Sequence, residues 1–162
     1  MIIRVTGKLA KQVGINPMDS LPLADDPVSD WTCRVFELDE RESLMLITNT
    51  ASLYSFLTPA NGLETAEQFG NGLGHYLERQ LLADNFGNVF KKQIVPKIQE
   101  IILAKTLDRS VTGSMTDMIK LAKYDLIEEG FSLVETTARL NKTPFKAIDY
   151  DHPRDQFVKL AQ

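Results

Sequence analysis

The chain reads as a single α+β domain, residues 1–162: a small, mostly antiparallel sheet of about four strands with helices packed on it and a helical carboxy-terminal half. Three observations predict this. The 162 residues are 43% hydrophobic and 25% charged, ordinary globular composition, and a chain of this length hides roughly 70% of its unfolded surface without needing a metal or disulfide. Runs rich in β-branched and aromatic residues dominate before residue 50. Apolar residues at three- and four-residue steps dominate after residue 64.

Ile2–Val5 reads as a short strand. Thr6 is positioned to cap a brief helix, Lys8 to Val13, which Gly14 stops. Residues 15–29 hold three prolines and three aspartates and read as a loop, long for a compact domain. Trp31–Leu38 and Ser43–Thr48 are the two strands of a hairpin joined by the polar turn Asp39–Glu42. Alternation puts Trp31, Cys33 and Val35 on one side, facing the core. Residues 51–57 are ambiguous: Leu53, Phe56 and Leu57 fit a helical turn, and a short strand is the alternative.

Residues 64–83 carry Ala66, Phe69, Leu73, Tyr76, Leu77 and Leu81 at helical spacing. Gly70, Gly72 and Gly74 weaken this helix by up to about 1 kcal/mol each relative to alanine and leave room for another backbone to approach. Residues 86–98 look helical, bent or broken at Pro96, and 99–105 reads as a further strand. Ser114-x-x-Asp117 has the form of a capping box opening a helix through Glu129, with Met115, Met118, Ile119, Ala122 and Leu126 as its apolar stripe and Gly130 as its stop. Ser132-x-x-Glu135 repeats the box for a helix to Leu140. Thr143–Pro144 resembles a cap with a first-turn proline, and Pro153 opens a last helix docked by Phe157 and Leu160.

The net charge of −4 is uneven. Residues 1–90 hold 6 basic and 12 acidic side chains, and residues 91–162 hold 12 and 10. Bulk charge therefore opposes nucleic-acid binding, although a local basic face allows it. No apolar run approaches the roughly 20 residues of a membrane span, so no membrane association is expected. The opening MIIRVTGK lacks a signal-peptide pattern. Cys33 is the single cysteine, which excludes an intrachain disulfide and fits a cytoplasmic location. No zinc-ligand spacing occurs, and Asp149, Asp151 and His152 match no metal pattern, so neither metal nor cofactor is expected.

The richest polar stretch is Lys105 to Asp117, where a strand gives way to a loop and then a helix. Unpaired amides at a helix start, Gly113, the hydroxyls of Ser110, Thr112 and Ser114, and the charges of Lys105 and Arg109 are the parts of an anion cradle, with Thr106 a further ligand-binding candidate. Lys142 is a candidate contributor from a second basic segment. The spacing matches neither the Walker loop nor the dinucleotide glycine fingerprint. Helix capping by Ser114 and Asp117 explains the same residues without a ligand.

The ordered segments WTCRVFELDERESLMLITNT (31–50), AKTLDRSVTGSMTD (104–117) and LNKTPFKAI (140–148) resemble, over nearly the whole chain, a family of small uncharacterised bacterial domains of unknown function. The resemblance implies one bacterial cytosolic domain and brings no activity, cofactor or catalytic residue.

The expected function is a non-catalytic binding or accessory domain. It would take a phosphate-bearing ligand or nucleic acid at Lys105, Thr106, Arg109, Ser110, Gly113, Ser114 and Lys142. One alternative is a protein-interaction or homo-oligomeric module using the Gly70–Gly74 helix or the Met115 and Met118 stripe. The other is a phosphoester hydrolase, with Lys105 and Arg109 stabilising charge and Asp108 or Asp117 as base. Whether the protein is an enzyme stays open at this point.

Overall fold

A computed structural model describes residues 1–162. Five strands form one mixed sheet in the order β4-β3-β2-β1-β5. β1 (Ile2–Val5) lies parallel to both β2 (Asp30–Glu37) and β5 (Ile102–Lys105). β2 pairs antiparallel with β3 (Ser43–Asn49), and β3 with β4 (Ser55–Pro59). The hairpin signal thus accounts for the antiparallel half. Of the ambiguous residues 51–57 only the last three enter a strand, the additional β4, and the other two pairings are parallel because β1 sits between strands reached by long connections.

Both faces of the sheet are covered. On the first lie α1 (Gly7–Val13), α2 (Ala66–Ala83) and α6 (Pro153–Leu160), packed on Ile3, Val5, Trp31, Cys33, Val35, Met45, Ile47 and Phe56. Trp31, Cys33 and Val35 share this face as alternation requires. On the second lie α4 (Arg109–Lys123) and α5 (Leu133–Leu140), which bury Phe36, Leu44, Leu46 and Leu57 against Met115, Met118, Ala122 and Leu140. Met115 and Met118 are fully buried, so they belong to the core and offer no partner face.

Part of the second face is polar. Arg4 aligns with Thr32, which aligns with Thr48, which aligns with Ser55, and all four are buried. Arg4 Nε and Nη2 donate to the two oxygens of Asp30, each at 2.8 Å. Its remaining hydrogens go to the carbonyls of Leu21, Pro22 and Lys105. All five guanidinium N–H groups are thereby used. Asp30 Oδ2 also accepts from the Ala24 amide at 3.0 Å, so the pair fastens the proline-rich segment 15–29 over the polar row.

Both sheet margins are occupied. Met18 bridges β5 beside Ala104, its N–H donating to Leu103 O and its carbonyl accepting from the Lys105 N–H. Along β4, Asn141 Oδ1 accepts from the Ser55 N–H, Asn141 Nδ2 donates to Ser55 O, and Thr137 Oγ1 accepts from the Leu57 N–H. Side chains from α5 thus do what a sixth strand would do.

Several local expectations change. α4 begins at Arg109 with Asp108 as its cap, and Val111 N–H donates to Asp108 Oδ1 at 2.9 Å. Ser114 therefore lies inside the helix, where its hydroxyl donates to Ser110 O, and the Ser114–Asp117 box does not form. The Ser132–Glu135 box does. Thr143–Pro144 opens no helix: the Thr143 hydroxyl donates back to Arg139 O, and a single 3-10 turn follows at Lys146–Ile148. Around Pro96, helical order splits into α3 (Gly87–Val89), a π turn at Phe90–Ile94 and a 3-10 turn at Val95–Lys97. Gly74 is approached by the Ile98 side chain, not by a backbone: a Cβ there would stand 2.8 Å from Ile98 Cδ1.

Candidate functional site

The start of α4 is positioned by the end of β5 and capped by its own acidic residue. The carboxylate of Asp108 takes the third amide of the helix and faces the helix dipole. The amides of Arg109 and Ser110 carry no side-chain acceptor, and Arg109 is exposed without an ion pair. A small, mostly apolar hollow of about 140 Å³ opens beside them, lined in part by Asp108, Ser110, Thr50 and Leu53. Of the residues expected to cradle an anion, Ser110 alone lines it. Lys105 reaches away to Asp19 at 2.6 Å, Thr106 is half-buried, Gly113 is exposed with open space around it, and Ser114 is buried.

Lys142 stands apart from this group. With Arg154 and Asn141 it lines two adjoining hollows of about 310 and 370 Å³, reached also by Asp84 and by His152 and Asp155. Arg154 is committed there: it donates to Asp84 O at 3.0 Å and lies 5.1 Å over the Phe86 ring. Behind it the buried Tyr54 hydroxyl donates to Asp84 Oδ2. Burial, then the Asp84 carboxylate, push the Tyr54 phenol up. Nearby, Asp151, His152 and Asp155 place one ligand atom each within 4.8 Å of one another. The Lys159 ammonium and the Gln156 amide already sit on Asp151 Oδ2, which gives that carboxylate a cation of its own.

A larger hollow arises from strand length. β1 ends where Val5 aligns with Cys33, while β2 continues to Glu37. The Thr6 N–H closes the ladder on Cys33 O, and beyond it the edge of β2 has no neighbour. The resulting notch of about 470 Å³ is walled by Thr6 and Lys8 on the α1 side, Arg34–Glu37 along β2, and Ile119 and Lys123 of α4. It lies off the carboxyl end of a parallel strand, where open sheets commonly bind ligands.

Three cationic side chains, Lys8, Arg34 and Lys123, meet one carboxylate in this notch. Arg34 is held by Thr116: its Nη1 donates to Thr116 Oγ1 at 2.7 Å and reaches Thr112 O at 3.4 Å, while Thr116 in turn donates to Thr112 O. Lys8 pairs with Glu37 at 2.8 Å. The Lys8 ammonium, and more weakly Lys123, hold the Glu37 carboxyl below the usual carboxylate range. Thr6 Oγ1 is buried and has no hydrogen-bond partner, a state that native proteins seldom leave unfilled.

Sequence reasoning passed over these residues because Thr6, Arg34 and Lys123 come from three distant segments. The one local signal was Arg34, a charged residue in the strand WTCRVFEL. A comparison with curated proteins finds no match. Residues 2–156 match the model of a family described as a domain of unknown function (DUF6933), and the chain belongs to that family.

Proposed function

We propose that the domain is a non-catalytic binding module that takes a small anion in the notch at the carboxyl end of β1. The observation that carries this reading is the convergence of Lys8, Arg34 and Lys123 on a hollow of about 470 Å³. Hydrogen bonds to charged groups are the strong ones, and Arg34 is already oriented by Thr116.

Amide NMR during titration with inorganic phosphate tests it. The expected result is a saturable shift of Thr6, Lys8, Val35 and Lys123, weakened roughly tenfold or more in Arg34→Ala through loss of a charge-assisted hydrogen bond. A spectrum unchanged by phosphate would overturn the reading.

A second reading keeps the anion at the start of α4 on Arg109 and Ser110, flanked in sequence by Thr106 and Gly113; Lys105, paired with Asp19, Ser114, bonded to Ser110 O, and Lys142, which lines other hollows, stand outside it. The unpaired Arg109 guanidinium and the two free amides favour it. The Asp108 carboxylate opposes it, since an anion there would face a fixed negative charge. Shifts confined to Leu107–Ser110, and lost in Arg109→Ala, would select this site instead.

A further inference from the structure

We propose that the ligand of the notch is a small organic phosphate monoester with an apolar body, whose head group displaces Glu37 from Lys8. This rests on the anion reading above and narrows it. Lys8, Arg34 and Lys123 against Glu37 alone leave two positive charges uncancelled among the lining residues. A phosphate monoester carries about −1.5 to −2 at pH 7 and matches that excess, whereas a simple carboxylate does not.

The rest of the lining is Thr6 and three apolar residues. Val35, Phe36 and Ile119 contribute apolar surface between the charged residues of β2 and α4. Val35 and Phe36 point to opposite faces of the sheet, and both reach the notch because β1 has ended. A hollow of about 470 Å³ exceeds what a bare phosphate fills and falls within the 300–1,000 Å³ usual for small-molecule sites.

Glu37 occupies Lys8 in the meantime. The two side chains are 70% and 57% exposed, so their pairing contributes little in water and is readily exchanged. The incoming phosphate takes over the ammonium at a less exposed position beside Arg34 and Lys123, and Glu37 swings off Lys8 but stays at the rim, within the same charge balance.

Calorimetric titration of the full chain with inorganic phosphate, phenyl phosphate and benzoate at fixed ionic strength tests the proposal. Phenyl phosphate should bind about tenfold or more tightly than inorganic phosphate, from burial of its ring, and benzoate more weakly than phenyl phosphate. Glu37→Gln should tighten phenyl phosphate severalfold, and Lys123→Gln should weaken it. Equal affinity for the two phosphates would overturn the proposal, as would a Glu37→Gln chain that binds no tighter. If inorganic phosphate binds and depends on Lys123 while the ring adds nothing, this inference alone falls. If no anion binds the parent chain, the anion reading falls with it.

Discussion

The Asn141 side chain pairs with the main chain of Ser55 as a neighbouring strand residue would, accepting from its N–H at 2.9 Å and donating to its carbonyl at 2.7 Å. Both groups are buried. Replacing Asn141 by leucine strands one buried donor and one buried acceptor. At about 1–3 kcal/mol for each unsatisfied group, Asn141→Leu should lose about 2–6 kcal/mol of stability, read as a lowered urea midpoint. Asn141→Asp keeps the acceptor and brings an anion against Ser55 O, so it should also destabilise. A midpoint unchanged in both variants would refute the edge-sealing role.

Arg4 and Asp30 make the second quantitative case. Removing one partner of a buried ion pair leaves the other charge uncompensated and costs about 3–5 kcal/mol. Arg4→Met should lose that much and loosen residues 21–24, seen as faster amide exchange at Ala24. The double variant Arg4→Met with Asp30→Leu should lose less than the sum of the single changes. Strict additivity in a denaturation cycle would show that the two side chains act independently.

Asp151 supplies a pH test. The Lys159 ammonium first, then the His152 amide and the Gln156 side chain, hold its carboxyl down at about 2, from an ordinary value of 3.8. Its folded value is the lower one, so its contribution to stability is present in full above the ordinary value and disappears as pH falls from there through about 2. The carboxylate is half-buried but its partner Lys159 is exposed, so solvent screens the pair, the effect on global stability is small and the direct observable is its NMR titration. Lys159→Met should move that midpoint back toward the ordinary carboxylate range. A midpoint that stays put would assign the depression to the His152 amide and the Gln156 side chain.

Cys33 is fully buried in β2, and burial pushes its thiol up beyond any physiological titration. Modification by a thiol reagent should therefore wait for unfolding and follow the same denaturant dependence as loss of tertiary structure. Rapid stoichiometric labelling of the native chain would contradict this packing.

What could be read from the residues was local. The hairpin, α2, the Ser132–Glu135 cap and the Pro153 helix each announce themselves within one or two turns of chain. The parallel neighbours of β1 do not, because pairing Ile2 with both Asp30 and Ile102 is decided by packing across long connections. Asp108 was masked as a cap by the more familiar Ser114–Asp117 spacing six residues on. The segment 15–29 reads as a loose connection by composition, and only the guanidinium of Arg4, standing in a strand and needing five acceptors, hints at why it is ordered. Thr6, Arg34 and Lys123 are brought together by the sheet, so no spacing rule joins them. Asn141 lies in a segment that stands out in sequence, yet its task belongs to the frame of the molecule.

The early end of β1 has one more consequence. A recess produced by a missing backbone, not by small side chains, keeps its shape whatever residues face it. Its rim can be rewritten from basic to acidic or neutral without disturbing either hydrophobic layer, so recognition and folding can be altered separately. Extending that strand by two residues would do the reverse: it would abolish the recess outright while leaving every rim residue in the chain.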